Sequence, residues 1–134
     1  MDYYFSKIVT GNFDAVVSKT TQLLNKEGFG VLTEINMQQT LKKKLNVTIN
    51  KYTILGACNP QFAYKALQIE NKIGTMLPCN VIVQELENNT IEVAIVNPIE
   101  SMKAIKNPAL EVIANDVTEK LKNIIKGLKN DKHI

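Results

Sequence analysis

A chain of 134 residues can bury a core without disulfide or metal staples, and 45% apolar with 22% charged residues is a globular composition. The net charge is +3, and all the basic side chains are lysines, with no arginine to read base edges, which argues against nucleic acid as a partner. No apolar run reaches the roughly 18 residues of a membrane span, and Met1-Asp2-Tyr3-Tyr4 lacks the features of a signal peptide.

The expectation is one cytoplasmic domain over residues 1–134, with both cysteines reduced. Tyr3 to Val9 reads as a strand that ends at Thr10-Gly11. Asn12 is a helix N-cap, and Phe13, Val16, Val17, Thr20 and Leu24 follow at helical spacing until Gly28 closes the helix. Phe29, Val31, Thr33, Ile35 and Met37 then alternate with polar neighbours, which predicts a second strand with these five on one face. A short basic helix is expected over Thr40 to Leu45, as a connector.

Lys51 to Cys58 is the third strand, with Tyr52 and Ile54 on one side and Thr53 and Leu55 on the other. Asn59 and Pro60 start the next helix as cap and first residue, and Gly74 ends it. Leu77-Pro78 turns the chain into a fourth strand, Cys79 to Leu86. Asn88-Asn89 makes a tight turn, since Asn tolerates positive φ, and Thr90 to Val96 returns as the fifth strand. A loop through Pro98 and Met102 leads to Asn107-Pro108. The final helix runs from Asn107 to Leu128 on an unbroken apolar stripe. Residues 129–134 are read as a frayed tail.

The predicted order is β-α-β-β-(α)-β-β-α. It implies an α+β two-layer sandwich, an antiparallel sheet with helices on one face. Several strands are apolar on both faces, so a second subunit is expected to cover the free side, giving a homodimer.

The chemistry-bearing residues concentrate between Ile54 and Val83. Cys58-Asn59-Pro60 and Pro78-Cys79-Asn80 each place a thiol at the junction of an extended run and a turn. If the third and fourth strands are antiparallel neighbours, the end of one lies beside the start of the other. Cys58 and Cys79 are then expected to approach, either as buried small hydrophobes or as a redox or soft-metal pair. Met102 is a weak candidate for a third, thioether ligand. Glu70 reads as a solvated helix position or, as the alternative, as a residue that faces the cysteine end. Other chemistries find no support. His133 is the only histidine and lies in the tail. Ser6, Ser18 and Ser101 sit in no nucleophile elbow, and Gly28 and Gly30 do not form a phosphate loop.

Gly56-Ala57-Cys58-Asn59-Pro60, Ala63, Ala66-Leu67, Glu70, Ile73-Gly74 and Leu77-Pro78-Cys79-Asn80-Val81 together resemble a bacterial and archaeal family known as domain of unknown function 302. Gly28-Phe29 with Val31, and Val96-Asn97-Pro98 with Met102, extend the resemblance over most of the chain. It implies the fold of the TATA-box-binding-protein class: strand, helix, four strands, helix. It implies no activity. Family members usually carry an aspartate where this chain has Asn97, and not every branch has both cysteines.

Two functions are therefore expected of the sequence. One is a binding or interaction domain with a pocket near the Cys58 and Cys79 turns, walled by Cys58, Asn59, Pro60, Glu70, Cys79 and Asn80, and open to a small molecule. The other is a thiol redox or soft-metal protein using Cys58 and Cys79. The cofactor, if any, is unknown from sequence.

Overall fold

The computed structural model describes residues 2–130. The chain begins with β1 (Tyr4–Thr10) and passes through Asn12 into α1 (Phe13–Lys26). The Asn12 side chain accepts the Ala15 N–H at 3.1 Å, satisfying one of the free donors of the first turn. Phe13, Val16, Thr20 and Leu24 are the buried stripe of α1. The Thr20 hydroxyl donates to the Val16 carbonyl at 2.8 Å, so its burial leaves no polar atom unpaired.

Gly28 takes φ +86, a left-handed conformation that favours glycine. Around it, Gly28 N–H donates to Asn25 O and Phe29 N–H to Leu24 O, the paired closure of a Schellman motif. Phe29 and Leu24 are the apolar partners that accompany it, exposed by only 1% and 0%.

β2 (Gly30–Asn36) departs from the expected alternation. A bulge shifts its register between Val31, opposite Ala57, and Thr33, opposite Gly56. The extra residue, Leu32, flips everything after it. Val31 therefore shares a face with Ala57, whereas Thr33 and Ile35 lie on the other. Met37 is not in the strand at all. It starts α2 (Met37–Leu45), which Asn36 caps by accepting the Gln39 N–H at 3.0 Å. The helix is thus longer than the expected Thr40–Leu45 turn.

β3 (Tyr52–Cys58) leads through Asn59 into α3 (Pro60–Ile69). α3 stops at Ile69, and Gly74 lies inside a separate 3-10 turn, Ile73–Met76. The extended Glu70 backbone breaks the run that the sequence suggested as one helix. The Leu77–Pro78 peptide is cis and opens β4 (Cys79–Glu85). Asn88 and Asn89 both take φ 58, making the predicted tight turn into β5 (Thr90–Val96). The expected loop after it contains one short helix, α4 (Pro98–Ser101), and a 3-10 turn, Lys103–Ile105. α5 (Pro108–Gly127) is the predicted long helix, with Leu110, Ala114, Val117, Leu121 and Ile124 buried along it.

The strands form one antiparallel sheet in the order β1-β5-β4-β3-β2. α1 thus carries the chain from one sheet edge to the other. α1 and α5 close one face over Leu55, Val81, Val83, Val93 and Ile95, all of them 0% exposed. Lys7 also lies on this side, where its Nζ donates to the Leu128 carbonyl at 2.6 Å and places a cation at the negative end of α5. The architecture is the predicted α+β sandwich. Its element order is β-α-β-α-β-α-β-β-α-α; the predicted β-α-β-β-(α)-β-β-α differs from it in leaving out α2, expected only as a connector, and α4, expected as a loop.

Candidate functional site

Three chain junctions meet at one end of the covered face. β3 ends at Cys58 and turns into α3 through Asn59. The cis Leu77–Pro78 bond enters β4 at Cys79. β5 ends before Asn97 and α4. α5 crosses behind them. Between these elements lies an apolar cavity of about 40 Å³, lined by Phe29, Ala57, Cys58, Asn59, Phe62, Ala63, Ala66, Leu77, Pro78, Cys79, Pro98, Met102, Ile113, Ala114 and Val117.

The local sequence explains the shape. Asn59 Oδ1 accepts the Phe62 N–H at 3.4 Å and so fixes the start of α3. Its Nδ2 donates to the Glu27 carbonyl at 3.5 Å and ties that start to the end of α1. Gly28 must be small here, because a Cβ would come within 3.1 Å of that same Nδ2. A Cβ on Gly56 would collide with Thr33 Oγ1 and reach Pro78 Cγ at 2.8 Å. Glycine thus lets β2 and the cis-proline turn close on β3. Ala63 and Ala66, one turn apart on α3, stand with Ala114 of α5 on the cavity wall, and their short side chains leave the space open.

The predicted site residues are only partly gathered. Cys58, Asn59, Cys79 and Met102 all border the cavity. The three other predicted residues do not. Pro60 is exposed at the first position of α3. Glu70 is the C-cap of α3 and is absent from the cavity wall. Asn80 is exposed and lines the opposite, open face, because successive strand residues alternate sides. His133 lies outside the described residues.

The cysteines are not a bonded pair: both are free. Cys79 pairs across the ladder with Ala57, and Cys58 with Gly30 on the other flank of β3. Cys58 is therefore one position out of step with Cys79. Cys79 is 9% exposed, and burial first, then the neighbouring Cys58, pushes its thiol up to about 11. This is opposite to the lowered value that a reactive thiolate needs. Among the described residues no three His, Cys, Asp or Glu side chains group as metal ligands. No charged residue lines the cavity.

Sequence reading missed Phe29, Phe62, Pro98, Ile113 and Val117 as wall residues. The one signal available was the recurrence of alanine, at Ala57, Ala63, Ala66 and Ala114, on the inward sides of β3, α3 and α5.

Asn97 is a buried polar residue, 1% exposed, at the edge of this region. Its Oδ1 accepts the Ile99 N–H at 3.1 Å and caps α4, while its Nδ2 donates to the Asp2 carbonyl at 3.2 Å. An aspartate could make the first bond but not donate the second. The amide here has a structural task that uses both its ends.

A five-stranded open-faced sandwich with a small apolar cavity at one end is the class of protein that this geometry defines. Within that class the chain belongs to the family described as domain of unknown function DUF302, whose model matches residues 5–128. It is similar to an uncharacterized conserved DUF302 protein from Bacillus stearothermophilus, known from a crystal structure. The two are 27% identical, with a TM-score of 0.87 over 94% of this chain and 98% of that one. A search of the curated proteins finds no match. No helix among the described residues is long and apolar enough to cross a membrane.

Proposed function

We propose that this chain is a binding domain, without catalysis, that seats a small apolar group in the cavity between α3, α5 and the Cys58 and Cys79 turns. The observation that carries this reading is the absence of any charged group from the cavity wall. Its only titratable members are two thiols, and Cys79 holds its proton up to about 11. Acid–base chemistry has nothing to work with there. A space of about 40 Å³ is well under the roughly 150 Å³ that admits benzene. The occupant is then a methyl-sized group, such as the tip of an aliphatic chain or of a partner's apolar side chain.

Amide NMR spectra under xenon pressure test the reading. Xenon is expected to shift resonances around Phe29, Phe62, Ala66 and Cys79, and Ala66→Leu should abolish those shifts by filling the space. Shifts spread over the surface, or none at all, would overturn it.

A second reading is favoured by one feature: Cys58, Cys79 and Met102 are all among the residues that line the same cavity. Three soft donors suit a monovalent soft ion. Anaerobic titration with Cu(I) would then show one site, lost in Cys58→Ser and in Cys79→Ser and weakened in Met102→Leu. Native Cys79 resisting both Cu(I) and thiol reagents until the chain unfolds leaves only the first reading.

A further inference from the structure

Among the described residues, the two long helices α1 and α5 both pack on one face of the sheet, and neither covers the other face. Its register can be read across the strands. Ser6, Ala94, Ile82, Ile54 and Ile35 form one row from edge to edge, each the ladder partner of the next. Ile8, Glu92, Gln84 and Tyr52 form the row on one side of it. Tyr4 pairs with Val96 on the other. The middle of this face is therefore an isoleucine belt with tyrosines at its flanks. Ile82 is the midpoint of β4 (Cys79–Glu85), and β4 is the middle strand of five.

We propose that this face is the interface of a homodimer, in which a second copy of the chain packs sheet to sheet about a two-fold axis near Ile82. Charge selects the partner. Glu92 is the one ionisable carboxylate among these rows, and it is already bonded to Gln84 at 2.8 Å. Lys7 and Lys51 belong to the covered side, where they meet the Leu128 carbonyl and the Phe13 ring. The rows thus offer no cation to nucleic acid or to anionic lipid. A face without net partners for charge is matched by another without them, and the face itself is one.

Size points the same way. Five strands of seven residues span a plane of about 24 by 24 Å, at about 4.8 Å between strands and about 3.4 Å per residue. Two such faces remove about 1,200 Å² from water, the lower end of a standard stable interface. The face has an aliphatic centre, with tyrosines in the flanking rows, and apolar anchors and tyrosines are enriched in such interfaces.

Sedimentation equilibrium on the full chain tests this. At tens of micromolar the wild type should sediment at about twice the 15.0 kDa of one chain. Ile82→Lys should sediment as a monomer with an unchanged far-UV spectrum. Val112→Lys, on the outward side of α5 and 63% exposed, should remain a dimer. Ile82→Cys in a Cys58→Ser background covers the case in which Ile82→Lys fails to fold. Across a nearby two-fold axis it should cross-link into a covalent dimer under mild oxidation. A monomeric wild type, a dimer that survives Ile82→Lys, or an Ile82→Cys chain that does not cross-link would each overturn the proposal.

Discussion

The two faces of the sheet both carry apolar side chains, yet they live in different surroundings. On the covered face Leu55, Val81, Val83, Val93 and Ile95 are 0% exposed under α1 and α5. On the open face Ile8 is 55% and Ile35 43% exposed, and Tyr52, Ile54 and Ile82 are half-buried. Strand alternation distinguishes the faces but does not rank them. What ranks them is the supply of helices: two long amphipathic ones, both delivered to the same side. The covered face stores the stability of the chain, and the open face keeps its apolar side chains part-exposed.

The contrast can be broken or sharpened by substitution. The largest effect is expected on the covered side. Leu121→Ala removes a fully buried side chain of α5 and should cost about 2–5 kcal/mol in denaturant unfolding. A loss under about 0.5 kcal/mol would mean that α5 does not pack as described. Next comes alkali. Folded Cys79 keeps its proton up to about 11, above the ordinary 9.0. Between these values the unfolded chain has lost a proton that the folded one retains. Stability is therefore whole below pH 9.0 and falls as pH rises through about 11. The loss amounts to roughly 2–3 kcal/mol and should be absent in Cys79→Ala.

A smaller effect separates neighbours in one strand. Val83→Thr puts a hydroxyl into a fully buried position and should cost about 1–3 kcal/mol. Ile82→Thr, on the open face, should cost the isolated protomer less than about 1 kcal/mol. Equal costs would erase the distinction between the faces. The smallest effect is expected at Val112, which faces neither sheet surface. Val112→Ser should stay within about 0.5 kcal/mol of wild type, as read by thermal unfolding.

Legibility in the sequence followed how local the cause was. α5 was legible because its stripe from Leu110 to Leu128 is unbroken, and the β4–β5 hairpin because Asn88-Asn89 carries its own backbone preference. The face of Ile35 was not, because a bulge at Leu32 leaves no mark in the pattern of apolar residues. Met37 fits either a strand's alternation or a helix's first turn, and the Asn36 side chain decided for the helix. Pro98–Ser101 is too short to show any period. The cysteine turns stood out through Asn59-Pro60 and Leu77-Pro78. The cavity they border did not, since Phe62, Ile113 and Val117 come together only by tertiary packing. Asn80 and Glu70 stand off the cavity wall for different reasons: Asn80 through the alternation of β4, Glu70 as the cap where α3 ends early.

The strand order has a consequence for how the chain assembles. β3, β4 and β5 are neighbours in sequence as well as in space, whereas Tyr4 of β1 pairs with Val96. That outer seam closes a loop of about two thirds of the chain, and loop-closure entropy must be overcome before its contacts contribute. We expect the folding nucleus to be the β3–β5 meander, with β1 docking after the rate-limiting step. Conservative core substitutions such as Val83→Ala should then give higher φ-values than Val9→Ala. A high value at Val9 would place the first strand in the nucleus instead. Residues near the start of the chain thus complete the sheet even though they are made first.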